Sequence, residues 1–125
     1  MGLLQVDVAD RVAVVTLDDP DRRNVVSHAL NAELISAMDE LEGREDVGAL
    51  VVTGAGKAFC AGADLDDLSS CTSTEELETI YAGFLRVADS PIPSVAAVNG
   101  PAVGAGMNMA LACDVIVAGA SARFD

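Results

Sequence analysis

The chain has 125 residues, of which 51% are hydrophobic and 3% aromatic, with a formal net charge of −13 at neutral pH. That length suits one domain, residues 1–125, and the apolar content allows a sizeable core. The charge argues against nucleic acid as a partner, because its phosphates would be repelled, and it leaves any anionic ligand dependent on local cations such as Arg22, Arg23 and Lys57.

In chain order, strand and helix patterns alternate. Leu4, Val6 and Val8 alternate with polar residues, Asp10-Arg11 offers a turn, and residues 12–17 form a second strand. Residues 18–21, Asp-Asp-Pro-Asp, break the sheet. Ser27 caps a helix whose Leu30, Leu34, Ala37, Met38 and Leu41 share one face, with Gly43 as its stop. The β-branched run 49–53 reads as a buried strand. Ser73 and Glu76 form a capping box for a helix with the stripe Leu77, Ile80, Tyr81, Phe84, Leu85 and Ala88, which Pro91 and Pro93 follow. A strand over 94–98, a short helix over 107–112 and a strand over 114–117 complete the pattern. Such alternation implies an α/β fold.

Three cysteines, Cys60, Cys71 and Cys113, leave an odd count without paired spacing, which fits a reducing cytoplasmic location. The N-terminus lacks a basic region followed by a long apolar one, so no signal peptide is visible. The apolar stretch 101–120 is long enough to span a bilayer, but Asn108, Asp114 and its glycines interrupt it; core helix plus buried strand is the better reading, with no membrane span.

Two stretches of small residues stand at strand exits: Gly54-Ala55-Gly56-Lys57-Ala58-Phe59-Cys60-Ala61-Gly62-Ala63-Asp64-Leu65 and Asn99-Gly100-Pro101-Ala102-Val103-Gly104-Ala105-Gly106-Met107-Asn108. Small side chains let a ligand approach the backbone, and glycine permits dihedrals that aim N–H groups outward. Two loops of this kind can each present one N–H to the same oxygen. The first is not a dinucleotide loop, because Phe59 stands where a third glycine is needed. Ala58 after Lys57 rules out a phosphate loop. The pair resembles the enoyl-CoA hydratase/isomerase family, the crotonase superfamily. Asn24 after Arg22-Arg23, Cys113-Asp114-Val115 and Ala122-Arg123-Phe124 fall where family members carry such residues, so the resemblance runs from the first strands to the last residue.

The resemblance implies the N-terminal part of a crotonase-like spiral of ββα units. It also implies a longer polypeptide whose remaining portion builds a homotrimer or a dimer of trimers. The activity it implies is binding of an acyl-CoA thioester, with Ala63 N–H and Ala105 N–H as oxyanion donors and Arg23, Val25, Ala61, Asp64, Leu65 and Met107 around the substrate. Negative charge that develops on the thioester oxygen is stabilised by donors already in place. No cofactor is implied beyond the coenzyme A of the substrate, and no metal. Family hydratases use two glutamates. The position of the first is Asn108 here, three residues beyond Ala105 and on the same helical face; that of the second lies beyond Asp125. An amide does not exchange protons as a carboxylate does. Two functions therefore stand: a hydratase/isomerase-type enzyme of fatty acid metabolism, or a non-catalytic fatty acyl-CoA binding protein.

Other residues take structural readings. His28, the only histidine, is a solvated first-turn residue. Cys60 lacks a basic partner and packs among small residues. Asp64 orders its loop in preference to moving protons, Met107 and Met109 pack, and Asp64, Asp66 and Asp67 form a solvated acidic cluster in preference to a cation site.

Overall fold

The computed structural model describes residues 2–125. Strands β1 (Leu4–Ala9) and β2 (Val12–Leu17) form an antiparallel hairpin. Strands β3 (Ala49–Gly54), β4 (Ser94–Val98) and β6 (Val115–Ala118) extend it in parallel, giving a five-stranded sheet in the order β1-β2-β3-β4-β6. Two short strands, β5 (Pro101–Ala102) and β7 (Arg123–Phe124), pair in a separate parallel ribbon. The helices are α1 (His28–Glu42), α2 (Leu65–Ser69), α3 (Thr74–Ala88) and α4 (Ala105–Leu111).

Alternation decides which face of the sheet is dry. Ala13, Val15 and Leu17 of β2, Leu50 and Val52 of β3, and Ala96 and Val98 of β4 are essentially inaccessible. Leu30, Leu34, Met38 and Leu41 of α1 join the same core, and α1 lies against α3 and β1. Ser27 caps α1 by accepting the Leu30 N–H at 3.1 Å. At the far edge β6 is exposed along its whole length.

The structure corrects several expectations. The capping box is displaced by one residue: Ser73 accepts the Glu76 N–H at 3.1 Å, but the Glu76 carboxylate reaches back to Thr72 N–H at 2.5 Å, not to Ser73 N–H. The buried residues of α3 are Ile80, Gly83 and Val87, with Tyr81 and Phe84 half-buried, whereas Leu85 and Ala88 are exposed. A glycine adds nothing to an apolar stripe, so Gly83 was invisible there; it is needed because a Cβ would stand 2.2 Å from Asn31 Oδ1. Gly43 ends α1 in a right-handed conformation, φ −86°, not the left-handed one of a glycine cap. Helix α4 starts at Ala105, two residues earlier than expected, and β6 one residue later. Helix α2 was unforeseen: at 5 residues it is too short to show a period, though Asp64 before Asp66-Asp67 is a cap followed by an acidic first turn.

Candidate functional site

The two small-residue loops are joined to each other. Cys60 bridges Ala102 in parallel register, with Cys60 N–H donating to Pro101 O at 3.2 Å and Val103 N–H to Cys60 O at 3.0 Å. At Gly106 a Cβ would stand 1.8 Å from Cys60 O, so only glycine lets the two backbones meet. The small residues expected to admit a ligand thus first admit the neighbouring loop.

Two asparagines, Asn24 buried and Asn99 half-buried, hold the first loop from the other side. Asn24, fully buried with φ 57°, donates its amide to Ala55 O at 3.0 Å, Ala58 O at 3.1 Å and Phe59 O at 3.3 Å, and accepts the Asp19 N–H at 2.8 Å. Asn99 donates to Gly56 O and Ala58 O and accepts the Gly54 N–H. Both side chains satisfy carbonyls that no strand partner reaches. The sequence reading gives neither a role; for Asn99 the adjacent Gly100 is the turn signal that marks such a clamp, whereas Asn24, between Arg23 and Val25, carries no such signal.

Beyond the bridge the first loop joins the chain that follows β2. Val26 N–H donates to Gly62 O and Asp64 N–H to Val26 O, each at 2.7 Å, while Ala61 N–H donates to Arg23 O at 2.9 Å. This parallel pairing uses the N–H groups of Ala61 and Asp64 and passes over that of Ala63. In the second loop Gly104, at φ 54° and ψ −116°, turns the chain from β5 into α4. Ala105 becomes the first residue of that helix, where an N–H has no intrahelical partner. Among the described residues, neither Ala63 N–H nor Ala105 N–H has an acceptor.

Both alanines line one cavity of about 380 Å³, together with Ala61, Gly62, Leu65, Leu68, Tyr81, Gly104 and Asn108. The structure therefore gathers Ala61, Ala63, Leu65, Ala105 and Asn108 of the expected site. Met107 is outside that lining, half-buried on α4. Val25 and Asp64 line an adjoining cavity of about 340 Å³ that shares Ala63 and Leu65 with the first. Arg23 lines a separate one of about 480 Å³ with Lys57. Leu68 and Tyr81, from α2 and α3, join the cavity without having been expected there as ligand contacts; Tyr81 had been placed only on an apolar stripe.

Asp64 is committed to its loop. Its Oδ1 accepts the N–H groups of Asp66 and Asp67 at 2.9 and 3.0 Å, and its other oxygen takes the Arg22 guanidinium. Of the expected cations, Arg22 is thereby engaged, whereas Arg23 and Lys57 form no ion pair among the described residues. Burial pushes the Cys60 thiol up to about 11, partly offset by the N–H groups of Gly62 and Val26 that face it, so it is not a thiolate nucleophile at neutral pH. His28 is exposed, and its backbone N–H donates to Asp67. No cluster of metal-ligating side chains occurs among the described residues, and none of their helices is long and apolar enough to cross a membrane.

Residues 7–125 match the model of a protein family described as enoyl-CoA hydratase/isomerase. A probable enoyl-CoA hydratase of Mycobacterium tuberculosis is 52% identical over 126 residues, covering 98% of this chain and 48% of its own length. One from Rhodobacter capsulatus is 40% identical, covering 97% and 48%. Among solved structures, an enoyl-CoA hydratase of Mycobacterium smegmatis superposes with a TM-score of 0.88 at 37% identity, covering 99% of this chain and 50% of that one. The chain spans about half the length of these relatives.

Proposed function

The chain belongs to the enoyl-CoA hydratase/isomerase family, and from that premise we propose that it binds an acyl-CoA thioester with the thioester oxygen between Ala63 N–H and Ala105 N–H. One observation carries this reading: Ala63 N–H and Ala105 N–H, one on each of two bridged loops, have no acceptor among the described residues, and both residues line the same cavity.

Addition of water to an enoyl thioester, or removal of its α-proton, moves an electron pair onto the thioester oxygen. Donors fixed by Asn24, Asn99 and the loop bridge stabilise that charge with no reorganisation, and one such donor contributes about 3 kcal/mol to the barrier. Helix α4 is only 7 residues long, so the individual N–H matters more than the helix dipole. Arg23 and Lys57, in their own cavity, are positioned to receive the anionic part of coenzyme A against the unfavourable net charge. Leu65, 78% exposed at the cavity, offers an apolar surface to the acyl group. The full activity is hydratase or isomerase chemistry in fatty acid metabolism, in a cytoplasmic trimer.

A second reading is favoured by Asn108. Among the described residues no carboxylate lines the cavity, and general acid–base assistance is worth roughly a hundred to ten thousand-fold. On that reading the protein binds fatty acyl-CoA without turning it over. Titration with crotonoyl-CoA, following the enoyl absorbance beside a calorimetric binding signal, separates the two. Saturable binding with loss of the enoyl band supports the enzyme, binding with an unchanged band supports the binding protein, and no binding removes both.

A further inference from the structure

We propose that Asn99 is a deamidation site gated by the contact between the two small-residue loops. Held in that contact the amide is protected; once the loops part, it converts irreversibly to an acid that keeps them apart. This chemistry needs no ligand.

Of the four asparagines, Asn24, Asn31, Asn99 and Asn108, only Asn99 precedes a glycine. An Asn-Gly pair cyclises readily because no side chain shields the following nitrogen and glycine reaches the dihedrals required. Val25, Ala32 and Met109 follow the other three, and each puts a Cβ beside that nitrogen. The Gly100 N–H has no acceptor among the described residues, so nothing ties the attacking atom. What restrains the reaction is the amide. Asn99 Nδ2 donates to Gly56 O at 3.2 Å and Ala58 O at 3.3 Å, while Oδ1 accepts the Gly54 N–H at 3.3 Å. These bonds engage both amide atoms with the first loop, whereas cyclisation makes Cγ tetrahedral and releases Nδ2. Gly100 is itself buried, which keeps solvent base from its proton.

When the loops open, hydroxide from solvent takes the Gly100 N–H proton and the nitrogen attacks Asn99 Cγ. A C–N bond forms, the Cγ–Nδ2 bond breaks, and Nδ2 leaves as ammonia with a proton from water. Water then opens the succinimide at either carbonyl, leaving aspartate or isoaspartate. Neither product re-forms the clamp. A carboxylate only accepts hydrogen bonds, and it would meet two other acceptors, Gly56 O and Ala58 O. Isoaspartate also inserts a methylene into the main chain beside Gly100, where even a Cβ would stand 2.0 Å from Lys57 O.

The test is peptide mass spectrometry of the whole protein after incubation at mildly alkaline pH, native and in unfolding guanidinium chloride. It follows the amide-to-acid mass gain at Asn99, with Asn108 as the internal control. Native Asn99 should convert at least about tenfold more slowly than unfolded, because only the open fraction reacts. Asn24→Ala, which loosens the same loop, should speed native conversion about tenfold. Asn99→Asp, which imitates one product, should lower the urea midpoint. Equal native and unfolded rates overturn the proposal, as does an unfolded Asn99 that converts no faster than Asn108. An Asn99→Asp variant as stable as the wild type overturns it too. Where Asn24→Ala fails to fold, the native-to-unfolded ratio still decides.

Discussion

The two sides of the cavity are built in opposite ways. The donor side is backbone, and it is fixed several times over: by the Cys60–Ala102 bridge, by the Val26–Ala63 bridge, and by the amides of Asn24 and Asn99. The opposite side is made of side chains on α2, α3 and α4, where Leu65 is 78% exposed and Asn108 is also exposed. The difference separates what must be rigid from what can vary. An oxyanion donor acts only if it is in position before charge develops, whereas the residues that choose the acyl group and move protons can be exchanged without disturbing it.

Breaking the donor side should have the larger consequences. Gly106→Ala forces a methyl against Cys60 O, a backbone atom that cannot swing away; the expected loss is about 3 kcal/mol or more of stability, read by urea denaturation. Ala63→Pro deletes one donor, and because the Val26 pairing does not use this N–H, the sheet contact should survive. Turnover, or affinity for a charged enolate analogue, should fall by about 3 kcal/mol, near a hundredfold, with the far-ultraviolet circular dichroism retained. Asn24→Ala leaves buried carbonyls of the first loop unpaired and should cost about 2 kcal/mol in the same denaturation assay.

The smallest effect belongs far from the cavity, where α1 meets α3. The Arg86 guanidinium, hydrogen-bonded to Glu42, holds that carboxyl below its usual value of 4.5. A carboxyl depressed in the folded state contributes stability above its unfolded value, and loses it as pH falls through the folded one. The pair is partly exposed, so its worth is at most about 1 kcal/mol. Thermal melts at pH 6 and pH 3 should therefore differ slightly less in Arg86→Met than in the wild type.

Legibility in the sequence followed the same division. The hairpin, α1, β3, α3 and β4 were readable because period 2 or period 3.6 is written in apolar residues such as Val15, Leu34 and Ile80. The loops were readable through the resemblance of their small residues to a family, and the comparisons place the chain in that family. What escaped was whatever depends on contacts between distant segments. Asn24 clamps carbonyls about thirty residues away, and no local pattern states where they will be. Gly83 is required by Asn31, across a helix interface. The spacing of Tyr81 assigns it to an apolar stripe, and only the approach of α3 to α4 places it in the cavity lining. Helix α2 is too short to carry a period, so its single cap at Asp64 was the whole of its signal.

The central claim is that Ala63 N–H and Ala105 N–H hold one thioester oxygen. It is tested most directly by following these two backbone amides in nitrogen-15-labelled protein by nuclear magnetic resonance during titration with butyryl-CoA. Both amide protons should move downfield together and saturate at the same ligand concentration, as expected for donors entering a new hydrogen bond, and neither should move with coenzyme A lacking the acyl group. Saturable butyryl-CoA binding that leaves both resonances in place would contradict the account.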